Sequence, residues 1–403
     1  MSTPVRAVSR SRSRNRLVPA LALVSLLLVS SSLRPALTSV GPVLERIGTT
    51  TGLSDSALGL LTALPLLGFA LFSSIVHGPA ARWGVDRVLL AALAVLAAGI
   101  AIRSLPALPA LWIGTAMIGA GVAFGNVLVP VILRRDHPGR IALFTGLSTS
   151  VMTGFAALGA GLAVPLAAAL GGWRMSLGLW AVPVVVAFLV WAARTRWAPS
   201  PAPVTSAAGA PAEPVGSVWR SATAWQVTAF MGLQSTAYFT LINWLPSVEA
   251  SRGVNPQTAG WHLFAFQVAG VAAGLAISAL MGRRAEQRPA CLAVSLAILV
   301  AMAGLLWVPQ WGVLWIMLAG VGTGSSIVVA LSLIALRGRS QSETTRLSGM
   351  AQSMGYLLAA GGPIAAGALL QLTGSPDLVL VLVGALALVQ AVVAFWAGRD
   401  RRA

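Results

Sequence analysis

The chain alternates long apolar runs with short polar connections, and this pattern sets its architecture. Twelve apolar runs can be drawn between the charged positions of the sequence. A helix rises 1.5 Å per residue, so about 20 apolar residues cross the hydrocarbon core of a bilayer. The pattern therefore predicts an all-α integral membrane protein whose twelve transmembrane helices lie at 17–44, 56–77, 87–105, 108–133, 141–170, 173–194, 219–248, 258–282, 289–308, 311–336, 344–373 and 377–398.

The connection between the sixth and seventh runs differs from all the others. It is rich in Pro, Ala, Gly and Ser and lacks apolar periodicity. This composition is typical of a flexible linker. We therefore predict a basic tail at 1–16, a six-helix bundle at 17–194, a cytoplasmic linker at 195–218, a second six-helix bundle at 219–398 and a tail at 399–403.

The two predicted bundles share a repeated pattern of glycines at an offset of 203 residues. The pairs are Gly119 with Gly322, Gly121 with Gly324 and, one helix later, Gly159 with Gly362. A parallel repeat of this kind is typical of transporters in which the substrate site lies near the membrane midplane, between the two halves.

Charge is scarce and unevenly distributed. Of the 403 residues, 57% are hydrophobic and 9% are charged, and all 27 basic residues are Arg. On one predicted side the loops carry only Arg46, Arg103, Arg174 and Arg252. Because basic loops stay in the cytoplasm, both termini are predicted to be cytoplasmic, in a bacterial cytoplasmic (inner) membrane. The positive charges do not cluster on one domain, so no nucleic-acid partner is expected.

The sequence contains no motif that points to an enzyme. A phosphate-binding loop needs a Lys, and the chain has none, which excludes ATP-driven pumping by this chain. The three His are scattered and Cys291 is the only cysteine, so no metal cluster is expected. We predict no enzyme activity, no cofactor and no metal. The expected partners are the lipid bilayer, a small-molecule substrate and a possible coupled proton, with the protein working as a monomer.

The loop between the second and third predicted helices, from Gly78 to Asp86 and Arg87, resembles a degraded loop motif of the major facilitator superfamily. The Asp-Arg pair is kept but displaced, and the later basic pair is absent. The fifth helix resembles the Gly/Pro-rich motif of that superfamily. The resemblance implies the major facilitator fold, with these three loop residues acting in conformational change. Simple helix packing is the alternative role for the glycines.

Four stretches narrow the resemblance to the cyanate permease/2-nitroimidazole transporter family. They are Leu33-Arg34-Pro35-Ala36 with Thr38 to Pro42, Gly125-Asn126 to Pro130, Ala224 to Gln234 followed by Asn243-Trp244, and Ser348 to Gln352 and Tyr356. The similarity covers essentially the whole chain. It implies a secondary transporter of small, often anionic or weakly acidic molecules.

Arg34 is the one charge predicted to lie deep in a span, roughly 25 Å beyond Leu17 along the first helix. An Arg at the bilayer centre costs about 2.5–3.5 kcal/mol on insertion scales, so it is a functional candidate. All ten carboxylates fall in loops, tails or span ends, which leaves Arg34 without an internal counter-ion. We therefore expect an anionic substrate there. The alternatives are a bond to backbone carbonyls and extension of the side chain toward the interface.

Uncharged polar residues at the same predicted depth complete the candidate substrate site. Gln234 and Tyr238 are four residues apart and share a helix face, and Gln352 and Tyr356 repeat that spacing. The full candidate set is Arg34, Asn126, Gln234, Tyr238, Trp244, Gln267, Gln352 and Tyr356. Each polar residue could instead bond a neighbouring helix, and Trp244 is either a wall or outer gate for a planar substrate or a packing residue.

No Asp or Glu is predicted deep in a span, where a residue that carries a coupled proton is usually found. Glu45 and Glu249, near the outer ends of the first and seventh helices, are the remaining candidates, with simple loop charges as the alternative. We predict transport of a small anionic or weakly acidic organic solute by alternating access. The alternatives are export of a neutral or weakly acidic toxic heterocycle and a membrane sensor without net flux.

Overall fold

A computed structural model describes residues 22–137, 141–197, 218–281, 286–338 and 341–399. The predicted tail at 1–16, most of the predicted linker and nearly all of the predicted tail at 399–403 lie outside these ranges. The sixth helix continues to Trp197, so the first three residues of the predicted linker are helical instead.

The described chain is almost entirely helical, and no strand occurs within it. Eleven of its helices are long and apolar enough to cross a membrane, and a twelfth long helix, Ala222–Ser251, carries more polar residues. The predicted all-α membrane fold is confirmed. We number the helices α1 Ala22–Thr51, α2 Asp55–Ile75, α3 Val85–Arg103, α4 Leu108–Asp136, α5 Ile141–Ala169, α6 Trp173–Leu179 with Ala181–Trp197, α7 Ala222–Ser251, α8 Pro256–Met281, α9 Arg288–Trp307, α10 Gly312–Arg337, α11 Gln341–Thr373 and α12 Asp377–Ala397.

Helix α1 is interrupted twice, where the sequence pattern predicted one continuous span. Its first segment stops before Leu33 and Arg34, a four-residue helix follows at Pro35–Thr38, and a 3-10 turn at Gly41–Val43 leads into Leu44–Thr51. Pro35 and Pro42 have no backbone N–H to continue the helical hydrogen bonds, which explains both breaks. The carbonyl of Ala36, in the interrupted part, accepts a hydrogen bond from the side chain of Arg103 instead.

Small residues set the packing between helices, as expected where lipid is as apolar as the side chains themselves. In α4, Gly119 faces α2 and Gly121 faces α3; in α10, Gly322 faces α9 and Gly324 faces α8. If α8 and α9 are the counterparts of α2 and α3, the structural counterpart of Gly121 is Gly322, since each packs on the third helix of its half. The predicted offset of 203 is therefore wrong by two residues in this helix pair.

The offset is correct one helix later. Gly159 of α5 lies against Thr38 of α1, and Gly362 of α11 lies against Thr240 of α7. A side chain at either glycine would collide with the threonine hydroxyl. The two halves therefore use the same kind of close contact between the first and fifth helices of each set of six.

The two ends of the bundle differ in how the halves meet. We call the end with Ala22 and Gly398 the terminal end; Arg194 and Arg337 bond the backbone of those two residues. The opposite end is the distal end. At the distal end one apolar core runs through residues of both halves, whereas toward the terminal end one core belongs mostly to the first half and another to the second.

Glycines on α5 show the same asymmetry. Gly161 packs closely on Trp261 and Phe264 of α8 near the distal end. Gly154 lies seven residues earlier, on the same helix face, yet nothing lies within 4 Å of where its side chain would begin. The helices α5 and α8 therefore converge at the distal end and diverge toward the terminal end.

Candidate substrate-binding site

Arg34 lies at the first interruption of α1, as the residue preceding the short helix Pro35–Thr38. Its side chain is half-buried and forms no ion pair within the described residues. Its carbonyl oxygen accepts backbone bonds from Leu37 and Thr38. The hydrogen bonds at the helix break thus hold the backbone of Arg34 in place.

Tyr238 of α7 is the nearest aromatic neighbour of this guanidinium group. The Arg34 Cζ atom lies 6.0 Å from the centre of the Tyr238 ring, within cation–π range. The Tyr238 hydroxyl donates to Oε1 of Gln267 in α8 at 3.4 Å. The Gln267 side chain is buried, and its Nε2 group has no partner in the described part of the chain. The guanidinium group of Arg34, the phenol of Tyr238 and the unpaired amide of Gln267 therefore lie close together between α1, α7 and α8.

Tyr356 of α11 joins the same group. The charge of Arg34 interacts with the hydroxyls of both Tyr238 and Tyr356, and the two tyrosines interact with each other. These are the only two tyrosines in the chain. The Tyr356 ring packs edge-on against Phe69 of α2 with 5.3 Å between ring centres, and the Tyr238 ring stacks on Phe266. Both hydroxyls therefore sit on rings that are fixed by aromatic neighbours.

For three other predicted site residues, Asn126, Gln234 and Gln352, the structure gives a position but no described contact with Arg34. Gly125 packs tightly on Leu33, which brings Asn126 to the level of Arg34, where its side chain is half-buried. Gln352 is half-buried and donates to Ser348 at 2.9 Å, one turn from Tyr356. Gln234 is buried and donates to Ser235 at 2.6 Å, so its amide is used within its own helix.

Trp244 lies apart from this cluster, near the distal end of α7. Its indole is 1% exposed and donates to the carbonyl of Pro363 in α11 at 3.2 Å. The same carbonyl faces Gly59 of α2, where a side chain would begin 2.5 Å away. In this conformation Trp244 therefore forms part of the distal closure between the halves.

The two predicted coupling carboxylates have different surroundings. Glu45 is exposed, whereas Glu249 is 7% exposed. Oε1 of Glu249 pairs with Nδ1 of His262 at 2.5 Å, across the contact between α7 and α8. The other oxygen of Glu249 is buried and has no partner among the described residues. Sequence spacing could not reveal this pair, because the two residues are on different helices.

Arg103 is the clearest departure from the sequence prediction, which placed it among the loop charges. It is 2% exposed, and its Nη1 atom donates to the carbonyl of Ala36 at 2.7 Å. That carbonyl belongs to the interrupted part of α1. The sequence pattern could not reveal this contact, because an Arg at the end of an apolar helix is usually an exposed loop charge.

Of the three residues of the predicted loop motif, Asp86 is buried, whereas Gly78 and Arg87 are exposed. Asp86 is buried and receives two hydrogen bonds from Arg135 of α4, at 2.6 and 3.1 Å. Arg135 also bonds Asp136, which pairs in turn with Arg194 of α6. Arg87 is exposed, and Gly78 has open space beside it. Asp86 is therefore bonded by Arg135, across the helices.

Replacing Asp86 by Asn should lower the stability of the protein by about 1–3 kcal/mol, the usual effect of weakening a buried charged hydrogen bond. The reason is that Arg135 would keep Asp136 but lose its bidentate partner on α3. Thermal unfolding in detergent measures the change. Arg87→Gln, one residue away and exposed, is the matched control and should unfold as the wild type does. Equal stability of Asp86→Asn and wild type would contradict the prediction.

The described residues hold no group of three or more His, Cys, Asp or Glu side chains that could bind a metal ion. The cluster around Arg34 offers a guanidinium fork, two phenol hydroxyls and amide groups between aromatic rings. A guanidinium group matches the two oxygens of a carboxylate in one plane. The arrangement is therefore chemically suited to binding a small planar solute.

The sequence-family model of the Major Facilitator Superfamily matches residues 24–361 of this chain. The chain belongs to the major facilitator superfamily. It is 38% identical to the 2-nitroimidazole transporter of Escherichia coli (strain K12) over 388 residues, which cover 96% of this chain and 97% of that protein. It is 30% identical to the cyanate transport protein CynX of the same organism over 358 residues, 88% of this chain and 91% of that protein. The resemblance noted in the sequence is confirmed.

Solved structures show the same fold at low sequence identity. A nucleoside transporter, NupG, superposes with a TM-score of 0.76 at 12% identity, covering 94% of this chain and 100% of that one. A D-xylose-proton symporter superposes with a TM-score of 0.73 at 13% identity, covering 95% and 97%. The fold and the relatives are those of multi-pass membrane transporters of small solutes.

Proposed function

We propose that this protein moves a small organic anion, or a planar weak acid, across the membrane, and that Arg34 binds it at the membrane midplane. The observation that carries the proposal is the half-buried Arg34 guanidinium group without a carboxylate partner in the described residues. Burying an unpaired charge is costly, so an anion that enters this site gains a partner already in place.

The surrounding residues support a planar solute. Tyr238, Gln267 and Tyr356 supply hydroxyl and amide groups at the level of Arg34, with aromatic rings behind them. All three lie near the middle of their helices, which is the position of the membrane midplane if each helix spans the bilayer. Asn126 and Gln352, both half-buried, would line the same space, and Trp244 would cover it on the distal side.

The asymmetry of the two ends supports the proposal of alternating access. The halves meet closely at the distal end and diverge toward the terminal end, so a solute would reach Arg34 from the terminal side. If the positive-inside rule holds, the terminal side is the cytoplasm and this conformation faces inward. The burial of Arg103 strengthens the charge asymmetry, because it leaves Arg46, Arg174 and Arg252 as the basic residues at the distal surface.

A second substrate class is a neutral or weakly acidic heterocycle. The observation that favours it is the 38% identity to a 2-nitroimidazole transporter. A planar ring would stack on the tyrosines without needing the charge of Arg34. The two classes therefore differ in how strongly transport depends on Arg34.

Flux assays on reconstituted protein test the proposal. Proteoliposomes would be offered radiolabelled small carboxylates, inorganic cyanate and neutral nitroimidazoles, with and without a pH gradient. We expect saturable uptake of at least one anion, in competition with other anions. Uptake of neutral heterocycles alone would favour the second class. Binding that raises the melting temperature without any flux would favour a sensor and overturn transport.

Glu249 and His262 are proposed to carry the coupled proton. Glu249→Gln should abolish accumulation driven by a pH gradient and should leave exchange of substrate across the membrane intact, because exchange needs no net proton movement. Glu45→Gln is the matched control, since Glu45 is exposed, and should accumulate substrate as the wild type does. Full gradient-driven accumulation by Glu249→Gln would exclude this carboxylate from coupling.

A further inference from the structure

At the terminal end of the second half, the start of α9 and the end of α12 bring two arginines to one exposed aromatic ring. The Cζ atom of Arg288 lies 4.5 Å from the centre of the Phe395 ring, and the Cζ atom of Arg399 lies 5.5 Å from the same centre. Phe395 is 45% exposed, and the neighbouring Trp396 is 42% exposed. We call Arg288, Phe395, Trp396 and Arg399 the basic corner.

Backbone contacts hold the two helix ends of the basic corner together. The Nε atom of Arg288 donates to the carbonyl of Phe395 at 3.0 Å, and the backbone N–H of Gln287 donates to the carbonyl of Gly398 at 3.0 Å. A side chain at Gly398 would begin 2.6 Å from the Cα atom of Arg288. The side chain of Arg288 is nevertheless 30% exposed, and Arg399 is partly exposed. The two charges are therefore fixed in position and remain accessible.

Only part of the positive charge at the basic corner is neutralised. The Nε atom of Arg288 also pairs with Glu286 at 3.0 Å, and the side chain of Glu286 is 50% exposed. The Nη1 and Nη2 atoms of Arg288 have no hydrogen-bond partner in the described part of the chain. Arg399 forms no ion pair with any described residue. Donors on both arginines can therefore accept a further anionic group.

The first half contains a similar arginine–aromatic contact whose charge is neutralised. Arg194 of α6 lies with its Cζ atom 4.3 Å from the centre of the Trp191 ring. That ring is fully buried, and the guanidinium group of Arg194 pairs with Asp136. Holding helix ends together with an arginine on an aromatic ring thus requires neither an exposed ring nor an unneutralised charge. The exposure at the basic corner is therefore unexplained by packing.

We propose that the basic corner binds the headgroup of an anionic phospholipid, with the lipid phosphate on Arg288 and Arg399 and the lipid chain along Phe395 and Trp396. The corner lies at the ends of two membrane-spanning helices, which is the level of the phosphate groups of a bilayer. Guanidinium groups match phosphate oxygens, and basic pockets between helix ends bind anionic headgroups. Neither α9 nor α12 contributes a residue to the cluster around Arg34, so this inference does not rest on the proposed substrate.

Thermal unfolding of the purified full-length protein in a neutral detergent tests the site. Phosphatidylglycerol should raise the melting temperature progressively with concentration, as expected for a ligand of the folded state. Phosphatidylcholine, whose choline group offsets the phosphate charge, and free inorganic phosphate should not. The double variant Arg288→Gln with Arg399→Gln should need about 30-fold more phosphatidylglycerol for the same shift, because each basic residue at an anionic lipid surface contributes about fivefold in affinity.

Two further variants separate charge from packing. Arg220→Gln is the matched control, because Arg220 is exposed at the terminal end of the same half, and it should respond as the wild type does. Arg288→Lys with Arg399→Lys keeps both charges and should keep most of the response. If the double Gln variant does not fold, Arg399→Gln alone leaves the bond of Arg288 to α12 intact and should need about fivefold more lipid. Equal stabilisation by both lipids, an equal shift with inorganic phosphate, or a wild-type response of the Gln variants would overturn the proposal.

Discussion

Arg34→Gln should lower the transport efficiency for an anionic substrate by about 10- to 150-fold, because a charge-assisted hydrogen bond contributes about 1.5–3 kcal/mol and each 1.4 kcal/mol is tenfold. Arg34→Lys keeps the charge but loses the planar fork that matches a carboxylate, so it should lose most of the activity as well. Initial rates of uptake into proteoliposomes over a range of substrate concentrations measure both effects.

Arg46→Gln is the matched control for this experiment. Arg46 is on the same interrupted helix α1 but exposed, and its removal should leave flux unchanged. Tyr238→Phe keeps the ring beside Arg34 and removes only the hydroxyl that bonds Gln267, so it should give a smaller loss. Flux at the wild-type level by Arg34→Ala for every transported anion would refute the anion site. If Arg34 variants lose flux only for charged substrates, Arg34 binds the charge of the substrate and the tyrosines stack on its ring.

Gly59→Val should destabilise the conformation in which the distal end is closed. A side chain at Gly59 would begin 2.5 Å from the carbonyl oxygen of Pro363 and 3.3 Å from the Cα of Ile364, both rigid backbone atoms of α11. Overpacking of this kind costs about 1–3 kcal/mol, which changes the ratio of two conformations by roughly 5- to 150-fold. The distal closure should therefore open more often, and transport should fall because the cycle must pass through the closed state.

Thiol labelling in intact cells measures that opening. Cys291 is buried, so the native thiol is protected, and Thr62→Cys introduces a reporter at a buried position of α2, one turn from Gly59. Combined with Gly59→Val, this reporter should react faster with a membrane-impermeant maleimide. Gly312→Val is the matched control, because nothing lies within 4 Å of the position where its side chain would begin. Faster labelling with Gly312→Val, or unchanged labelling with Gly59→Val, would contradict the role given to Gly59.

Hydropathy alone sufficed for the number and type of helices, but not for their internal shape. Eleven of the twelve apolar runs match the long helices of the described chain to within three residues, whereas the first run, predicted to end at 44, continues to Thr51. The same pattern treated α1 as one continuous span, although Pro35 and Pro42 divide it into separate segments. Hydropathy averages over a window, and a break of two residues inside an apolar run does not change that average.

The candidate site was only partly predictable for a related reason. Tyr238 and Tyr356 followed from spacing along a helix and from depth in a span, which are local properties. Whether Gln234 or Trp244 faces the same space depends on the rotation of α7 against its neighbours. The structure turns Gln234 toward Ser235 and buries Trp244 against α11.

By itself the sequence determined the membrane class, the twelve spans, the superfamily and the isolation of Arg34 from carboxylates. Only the tertiary structure decided that Arg103 is buried, that Asp86 is paired with Arg135 and that Glu249 faces His262. The physical reason is the nature of helix association in lipid. Because lipid is as apolar as the helix surfaces, hydrophobicity does not select partners, and close contacts between small residues do. Those contacts set the axial position of each helix, which hydropathy does not encode.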